Sequence, residues 1–224
     1  MILHIKYKTP HSLFTAMLLE NVISVFLLVC LGCFFTVNLH NILKSHKLGS
    51  SKNVYAEVRR PLDLVVGLAA VGTLTYFLEV IAYLFLVFTS SASILSDFLI
   101  YFQLPFALYL RILGLLLTTA GYFLLVWSVL ARGRYAVSWE MPTNQKLVTW
   151  GPYNHIRHPS YSGYFLMFLG FFLLWSSFLA LIPLAAIPGY YKVSFHEEEL
   201  LMRRFGEEYI EYQKKTGRFI PRFR

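Results

Sequence analysis

The sequence predicts an all-α integral membrane protein of about five transmembrane helices, with a C-terminal helical hairpin and a cytoplasmic cap. Composition is the first reason: 57% of the 224 residues are hydrophobic and only 14% are charged, where soluble domains carry about 25% charged residues. The second is that apolar runs of the length a bilayer requires, about 20 residues as helix, recur along the chain. The third is the placement of the +8 net charge, which sits mainly between those runs. A nucleic-acid binder gathers its cations on one soluble face. Cations in the gaps between spans are the mark of cytoplasmic loops instead. The lipid bilayer is therefore the expected partner, and nucleic acid is not.

The first span covers residues 14–43, with Glu20 and Asn21 near its start. It is too long for the apolar region of a cleavable signal peptide, so none is expected. Cys30 and Cys33 lie inside it. Their C-x-x-C spacing suits a redox pair only in a thioredoxin-like context; in an apolar run they read as small buried hydrophobes. The second span, 62–88, has Asp63 at its edge and Glu79 inside. The third, 112–130, contains no charge. The apolar stretch 98–110 holds Gln103 and Pro105; it either extends the third span or lies as an interfacial helix on the outer side. Residues 161–175 and 178–195, parted by Ser176 and Ser177, form the hairpin, with Pro183 and Pro188 placed to kink its second arm. The chain reads as one membrane domain, with N-terminal helices in 1–131 and the cap and hairpin in 132–224.

Loop charges orient these spans. Lys44, Lys47, Lys52, Arg59 and Arg60 fill the first gap, whereas residues 89–96 carry no charge and Asp97 is acidic. Arg132, Arg134, Lys146 and Arg157 fill the next, and Lys214, Lys215, Arg218, Arg222 and Arg224 the tail. The positive-inside rule puts the basic regions, including the C-terminus, in the cytoplasm. The N-terminus then lies outside, although Lys6 and Lys8 pull the other way. Within the spans, Glu79 reads as a buried carboxyl paired by a neighbouring helix or protonated. Arg111 reads as a side chain snorkelling to the outer interface. No row of charges at helical spacing marks a transport path.

Chemistry-bearing residues concentrate in the cap. Residues 144–164 read N-Q-K-L-V-T-W-G-P-Y-N-H-I-R-H-P-S-Y-S-G-Y. Gly151-Pro152 marks a turn. Pro159 biases His158 away from helix, so a helix should begin near Ser160. A helix start offers free N–H groups to an anion, and Arg157 and His158 stand beside it. Two readings remain open here: a ligand site, or a membrane-entry loop whose arginine meets lipid phosphate. The second dense run is H-E-E-E-L-L-M-R-R-F-G-E-E-Y-I-E-Y, residues 196–212. Leu200, Leu201, Phe205 and Tyr209 recur at helical spacing, as on a helix laid against an apolar surface. Carboxylates emerging at an anionic membrane surface are repelled by it, so they face a ligand, a cation or the basic loop, unless they form a solvated face. No metal-ligand spacing, P-loop or G-x-G-x-x-G occurs, so no metal site is expected.

These two segments together resemble the isoprenylcysteine carboxyl methyltransferase family and the related membrane phospholipid methyltransferases. The matching pieces are L-V-T-W-G-P-Y-N-H-I-R-H-P-S-Y-S-G over 147–163 and E-E-E-L-L…F-G-E-E-Y-I-E-Y…T-G-R-F-I-P over 197–221. The resemblance implies a methyltransferase core in 132–224 with S-adenosyl-L-methionine as cofactor at the cytoplasmic side. Its methyl acceptor is lipophilic, prenylcysteine carboxylate-like, and enters from the bilayer. By position it assigns Gln145, Lys146, Leu147 and Val148 to the cofactor lining, with Tyr153 packed against it. His158, Pro159, Ser160 and Tyr161 form the turn around its amino-acid end, and Glu197 reaches that end from the last helix. Glu197, Arg157 and His155 are the catalytic candidates. One departure stands out: the prenylcysteine enzymes carry an arginine four residues before the glutamate, where this chain has Val193. Lys192 is adjacent but points to another face.

The expected chemistry is in-line methyl transfer, governed by positioning and by exclusion of water. A carboxylate acceptor is already ionised near pH 7. An amine or small thiol, the alternative acceptors, would need a base such as Glu197 or His155. A non-catalytic transporter or scaffold is the reading from another class, and a transporter calls for midplane polar groups in discontinuous spans.

Overall fold

A computed structural model describes residues 10–47, 54–57, 64–89, 106–135, 140–142 and 145–222. The expectations placed on Lys6 and Lys8, on Lys52, Arg59 and Arg60, on Asp97, and on Gln103 and Pro105 lie outside the described residues. Helices dominate. They are α1 (Pro10–Lys47), α2 (Leu64–Phe88), α3 (Ala107–Arg132), α4 (Pro159–Trp175), α5 (Ala186–Phe205) and α6 (Glu207–Lys215). Short 3-10 turns cover Gly133–Tyr135, Gly151–Asn154 and Leu179–Ala185. Two short strands, β1 (Val54–Glu57) and β2 (Glu140–Pro142), pair antiparallel with Val54 opposite Pro142 and Glu57 opposite Glu140. Nothing in their composition announced them. Their pairing joins the first basic loop to the one after α3, so both lie on one face of the membrane, as their charges predicted.

The chain is an integral membrane protein. Three described helices are long and apolar enough to cross a bilayer: Leu19–His40 within α1, all of α2 and all of α3. The fourth apolar helix, α4, has 17 residues, a rise of about 26 Å against a hydrocarbon core of about 30 Å. The second hairpin arm departs from the expected apolar helix. Pro183 lies inside a 3-10 segment, where its ring removes an N–H donor. The α-helix begins only at Ala186 and continues well past the apolar stretch to Phe205.

Small residues let the spans approach closely, the usual solution where lipid removes the hydrophobic drive between helices. A Cβ on Gly121 of α3 would sit 2.7 Å from the Gly163 carbonyl of α4, and one on Gly114 would sit 2.7 Å from that of Gly170. Gly189 of α5 meets Ala69 and Val65 of α2 in the same way. Around these contacts Tyr76, Phe168, Phe171, Met167, Leu125, Ile23 and Leu27 form the interior. Val29, Leu74, Phe85, Leu116 and Phe123 point outward, as lipid-facing residues must. Gly170→Ala should therefore lower stability by about 1–3 kcal/mol through overpacking. Gly32→Ala, with open space around it, should leave it unchanged. Thermal unfolding in detergent compares the two.

The intramembrane charges behave differently from their sequence reading. Arg111 pairs with Glu20 of α1 at 2.7 Å, and Glu20 also accepts the Tyr83 hydroxyl. Arg111 thus ties α1, α2 and α3 together, because the Glu20 carboxylate near the start of the first span faces it. Glu79 is buried as expected; of its two readings, paired or protonated, the pairing is not found, since neither carboxyl oxygen has a hydrogen-bond partner among the described residues. Cys30 is half-buried and Cys33 exposed, both free thiols. The buried reading fails for Cys33 because its helix face is turned outward.

Candidate active site

The α4 N-terminus forms where the sequence predicted it. Pro159 is the first helical residue, with His158 in a non-helical conformation before it. The loop leading in is fixed from two sides. Trp150 donates its indole N–H to the Ala131 carbonyl at 2.8 Å, and Gly151 takes φ +63°, which glycine adopts without a Cβ clash. On the other side the tail runs beside the loop: Arg157 and His158 donate backbone N–H groups to the carbonyls of Gly217 and Arg218, and Gly217 donates to that of His155. Gly206, at φ +51°, ends α5 and turns the chain into α6. Tyr209 and Tyr212 then pack with Leu200, Leu201 and Leu147 in a small separate core.

Two adjacent glutamates of α5 meet this loop. Glu198 is buried and collects Arg157 Nε at 2.8 Å, His158 Nε2 at 3.1 Å and Arg218 at 2.8 Å. Gln213 donates to it as well. Arg157 also donates to the Thr216 carbonyl at 2.6 Å, and Arg218 stacks over the Phe195 ring at 3.7 Å. Glu197 accepts the Tyr161 hydroxyl at 2.7 Å and stands 3.4 Å from His158 Nδ1. His158 is thereby held between two carboxylates, one at each ring nitrogen, and its ring stacks parallel to that of Tyr161 at 5.4 Å.

The charges set the protonation states. Burial acts to raise the Glu198 carboxyl, but hydrogen bonds from His158, Arg218 and Arg157 outweigh it and bring it down to about 2. Burial acts to lower His158, yet its bonds to Glu197 and Glu198 prevail and its pKa is raised. An imidazolium donating both N–H groups fits that geometry. Burial raises Tyr153, Tyr209 and Tyr212, which keeps them neutral. The lowered Glu198 pKa means that the folded cap favours the carboxylate over the neutral acid. That stability is present above the ordinary carboxyl range and is lost as pH falls towards about 2. The His158 contribution runs the other way: it is present below the ordinary imidazole pKa and lost as pH rises through the raised value. Thermal unfolding against pH should show cap stability falling steadily from about pH 4.5 to pH 2, with that acid loss abolished in Glu198→Gln.

Beside this network opens a cavity continuous with solvent. Of the residues predicted from sequence, Lys146, Leu147, Val148, Tyr153, Arg157, His158, Ser160, Tyr161 and Glu197 line it. Gln145 and Pro159 do not: Gln145 is buried, donating to the Tyr135 carbonyl at 2.7 Å, with no partner for its Oε1 among the described residues. His155 is exposed at the end of the 3-10 turn and does not line the cavity, so its ring is not placed to act as a base there. Sequence reasoning missed Arg132, Tyr135, Leu201, Tyr209 and Tyr212 as lining residues, and Glu198 and Arg218 as the groups that hold it. The F-G-E-E-Y-I-E-Y run already contained both tyrosines. Arg132 had been counted only as a loop charge.

Comparison with known proteins bears on the same segments. Residues 109–208 match the family model described as phospholipid methyltransferase. A protein-S-isoprenylcysteine O-methyltransferase of Xenopus laevis is 33% identical over 127 residues, covering 54% of this chain and 44% of the relative. The C-terminal half of the chain is thus similar to the phospholipid methyltransferase family model and to protein-S-isoprenylcysteine O-methyltransferases. The enzyme of the same name from Homo sapiens is 30% identical over 118 residues, covering 50% of this chain and 42% of the relative. The chain thus spans less than half the length of either relative. A solved structure titled as the eukaryotic intramembrane Ras methyltransferase ICMT is 24% identical, with a TM-score of 0.45 over 73% of this chain and 54% of that one.

Proposed function

We propose that the chain is a membrane-embedded methyltransferase that uses S-adenosyl-L-methionine and acts on a lipophilic, prenylcysteine carboxylate-like acceptor. Residues 132–224 carry the donor site, residues 1–131 supply the N-terminal spans, and the site and C-terminus face the cytoplasm. The observation that carries this reading is Glu197, a carboxylate lining the cavity and oriented by Tyr161 and His158.

The cavity suits a zwitterionic donor of this kind. It offers a carboxylate for an ammonium group and cations for a carboxylate, with apolar Leu147, Val148 and Leu201 between. The Tyr209 hydroxyl is a further polar group at its wall. When bound, the donor supplies an electrophilic methyl group on a cationic sulfur. Glu197 would hold the amino group; Tyr153, Tyr161, Leu147 and Val148 would exclude water, which otherwise competes for the site. Glu198 and Arg157 act as positioning residues, fixing His158 and the α4 entry loop. Labelled methyl transfer from S-adenosylmethionine separates the acceptors. Label in a farnesylcysteine analogue is expected. Label only in a lipid extract or a small thiol would assign the alternative acceptors, and no label in any would overturn the enzymatic reading.

A further inference from the structure

The level at which the cap meets the bilayer is marked on α3 and α4. Ser128 and Ser160 share a hydrogen bond at 2.7 Å, so the first turn of α4 stands level with the end of α3. Trp127 points outward beside that bond, and indole rings gather at membrane interfaces. The tail comes down to the same level. Gly217 bridges Ile156 in parallel, and the Gly217 and Arg218 carbonyls accept the Arg157 and His158 N–H groups. The next carbonyl, that of Phe219, accepts the Ser162 hydroxyl inside α4 at 2.7 Å. The Phe219 ring packs against Phe165 at 5.3 Å and Tyr191 at 6.0 Å. The tail therefore follows α4 towards the hydrocarbon.

It then turns back. Residues 218–220 bend, so tightly that a Cβ on Gly217 would collide with the Ile220 carbonyl. Arg222 returns to donate to the Lys214 carbonyl at 2.9 Å. The tip of this loop is Phe219-Ile220-Pro221. Ile220 is 70% exposed, and Tyr191 and Phe195 of α5 are exposed nearby, with Arg218 spanning the gap to the Phe195 ring. An apolar tip at this level is buried by the boundary between headgroups and acyl chains. Pro221 has no backbone N–H, which leaves one donor fewer to withdraw from water there. Around the base of the loop Lys214, Lys215 and Arg222 are exposed. The acidic residues Glu207 and Glu208 lie at the other end of α6, about 12 Å along its axis. Glu211 pairs with Lys214, but both are exposed, and such pairs yield readily.

We propose that the tail is a membrane clasp: Ile220 and Pro221 enter the lipid boundary while Lys214, Lys215 and Arg222 bind anionic phospholipid headgroups. The inference does not depend on the methyl donor. A neutral bilayer offers the apolar boundary alone; an anionic one adds attraction for each cation. The loop that grips lipid is the one bonded to residues 156–158 and to Ser162. Lipid charge is thereby coupled to the order of the loop that enters α4.

Hydrogen exchange of the full chain tests this in nanodiscs of phosphatidylcholine and of phosphatidylcholine and phosphatidylserine in equal parts. Amides of residues 217–222 should exchange at least about tenfold more slowly in the mixed lipid, since each Lys or Arg at an anionic surface contributes about fivefold in an equilibrium constant. Added salt should erode the difference. Lys214→Gln, Lys215→Gln and Arg222→Gln combined should remove it, with unchanged protection of α4 showing that the variant is folded. Ile220→Ser should speed exchange in both lipids. A nitroxide on Ile220→Cys, with Cys30 and Cys33 replaced by alanine, should collide more with dissolved oxygen than with a water-soluble nickel chelate. Equal exchange in the two lipids overturns the proposal, as does a combined variant that keeps the difference. A nitroxide that meets the nickel chelate more readily overturns it too.

Discussion

Replacing Glu198 by alanine should unfold the cap. The carboxylate is buried and joins Arg157, His158, Arg218 and Gln213, drawn from the α4 entry loop, α6 and the tail. Its removal leaves the guanidinium groups of Arg157 and Arg218 without a carboxylate, and His158 with Glu197 alone. Breaking a buried pair on one side costs about 3–5 kcal/mol, and here one residue serves three cations. Hydrogen exchange of residues 145–160 and 207–218 should rise sharply, while α1 to α3 remain protected. Glu198→Gln keeps the shape and some hydrogen bonds and should fall between. Protection equal to wild type in Glu198→Ala would mean that the network does not hold the cap.

Replacing Glu197 or His158 should act differently, removing ligand binding with the fold retained. Glu197 lines the cavity and is bonded to Tyr161 and His158, while Glu198 keeps Arg157 and Arg218, so the cap network survives its loss. Losing a charge-assisted contact to a ligand amine costs about 1.5–3 kcal/mol, and leaving the amine buried and unpaired adds to that. Glu197→Ala and His158→Ala are both expected to abolish S-adenosylhomocysteine binding in calorimetry, with unchanged protection of α6. Glu197→Gln and His158→Asn check that loss of charge, rather than of packing, is responsible. Normal binding by both alanine variants would place the donor elsewhere.

The helical class and three of the spans were legible because each rests on local composition and length. The α4 start was legible for a similar reason: Pro159 constrains its own neighbour, and the helix begins there. Features that depend on partners distant in sequence were not. Glu20 reaches Arg111 across 91 positions, so the arginine read alone resembled a snorkelling side chain. Pro183 and Pro188 suggested a kink, whereas the arm begins as a 3-10 segment. In the site, the R-H-P-S-Y run and Glu197 were visible as motifs. Which of the adjacent glutamates faces the cavity and which anchors the loop is decided by Arg157, Arg218 and the tail beside residues 155–158. No spacing within one segment could distinguish them. Arg132 was hidden for the opposite reason, since a cation at the end of a span is the commonest sight in a membrane protein.

The central claim is that the cavity beside Glu197 holds a methyl donor, and calorimetric titration of the purified full chain with S-adenosylhomocysteine tests it most directly. Saturable one-to-one binding, absent in Glu197→Ala, is the predicted result. No heat of binding from wild-type protein whose α4 and α6 remain protected from exchange would contradict it.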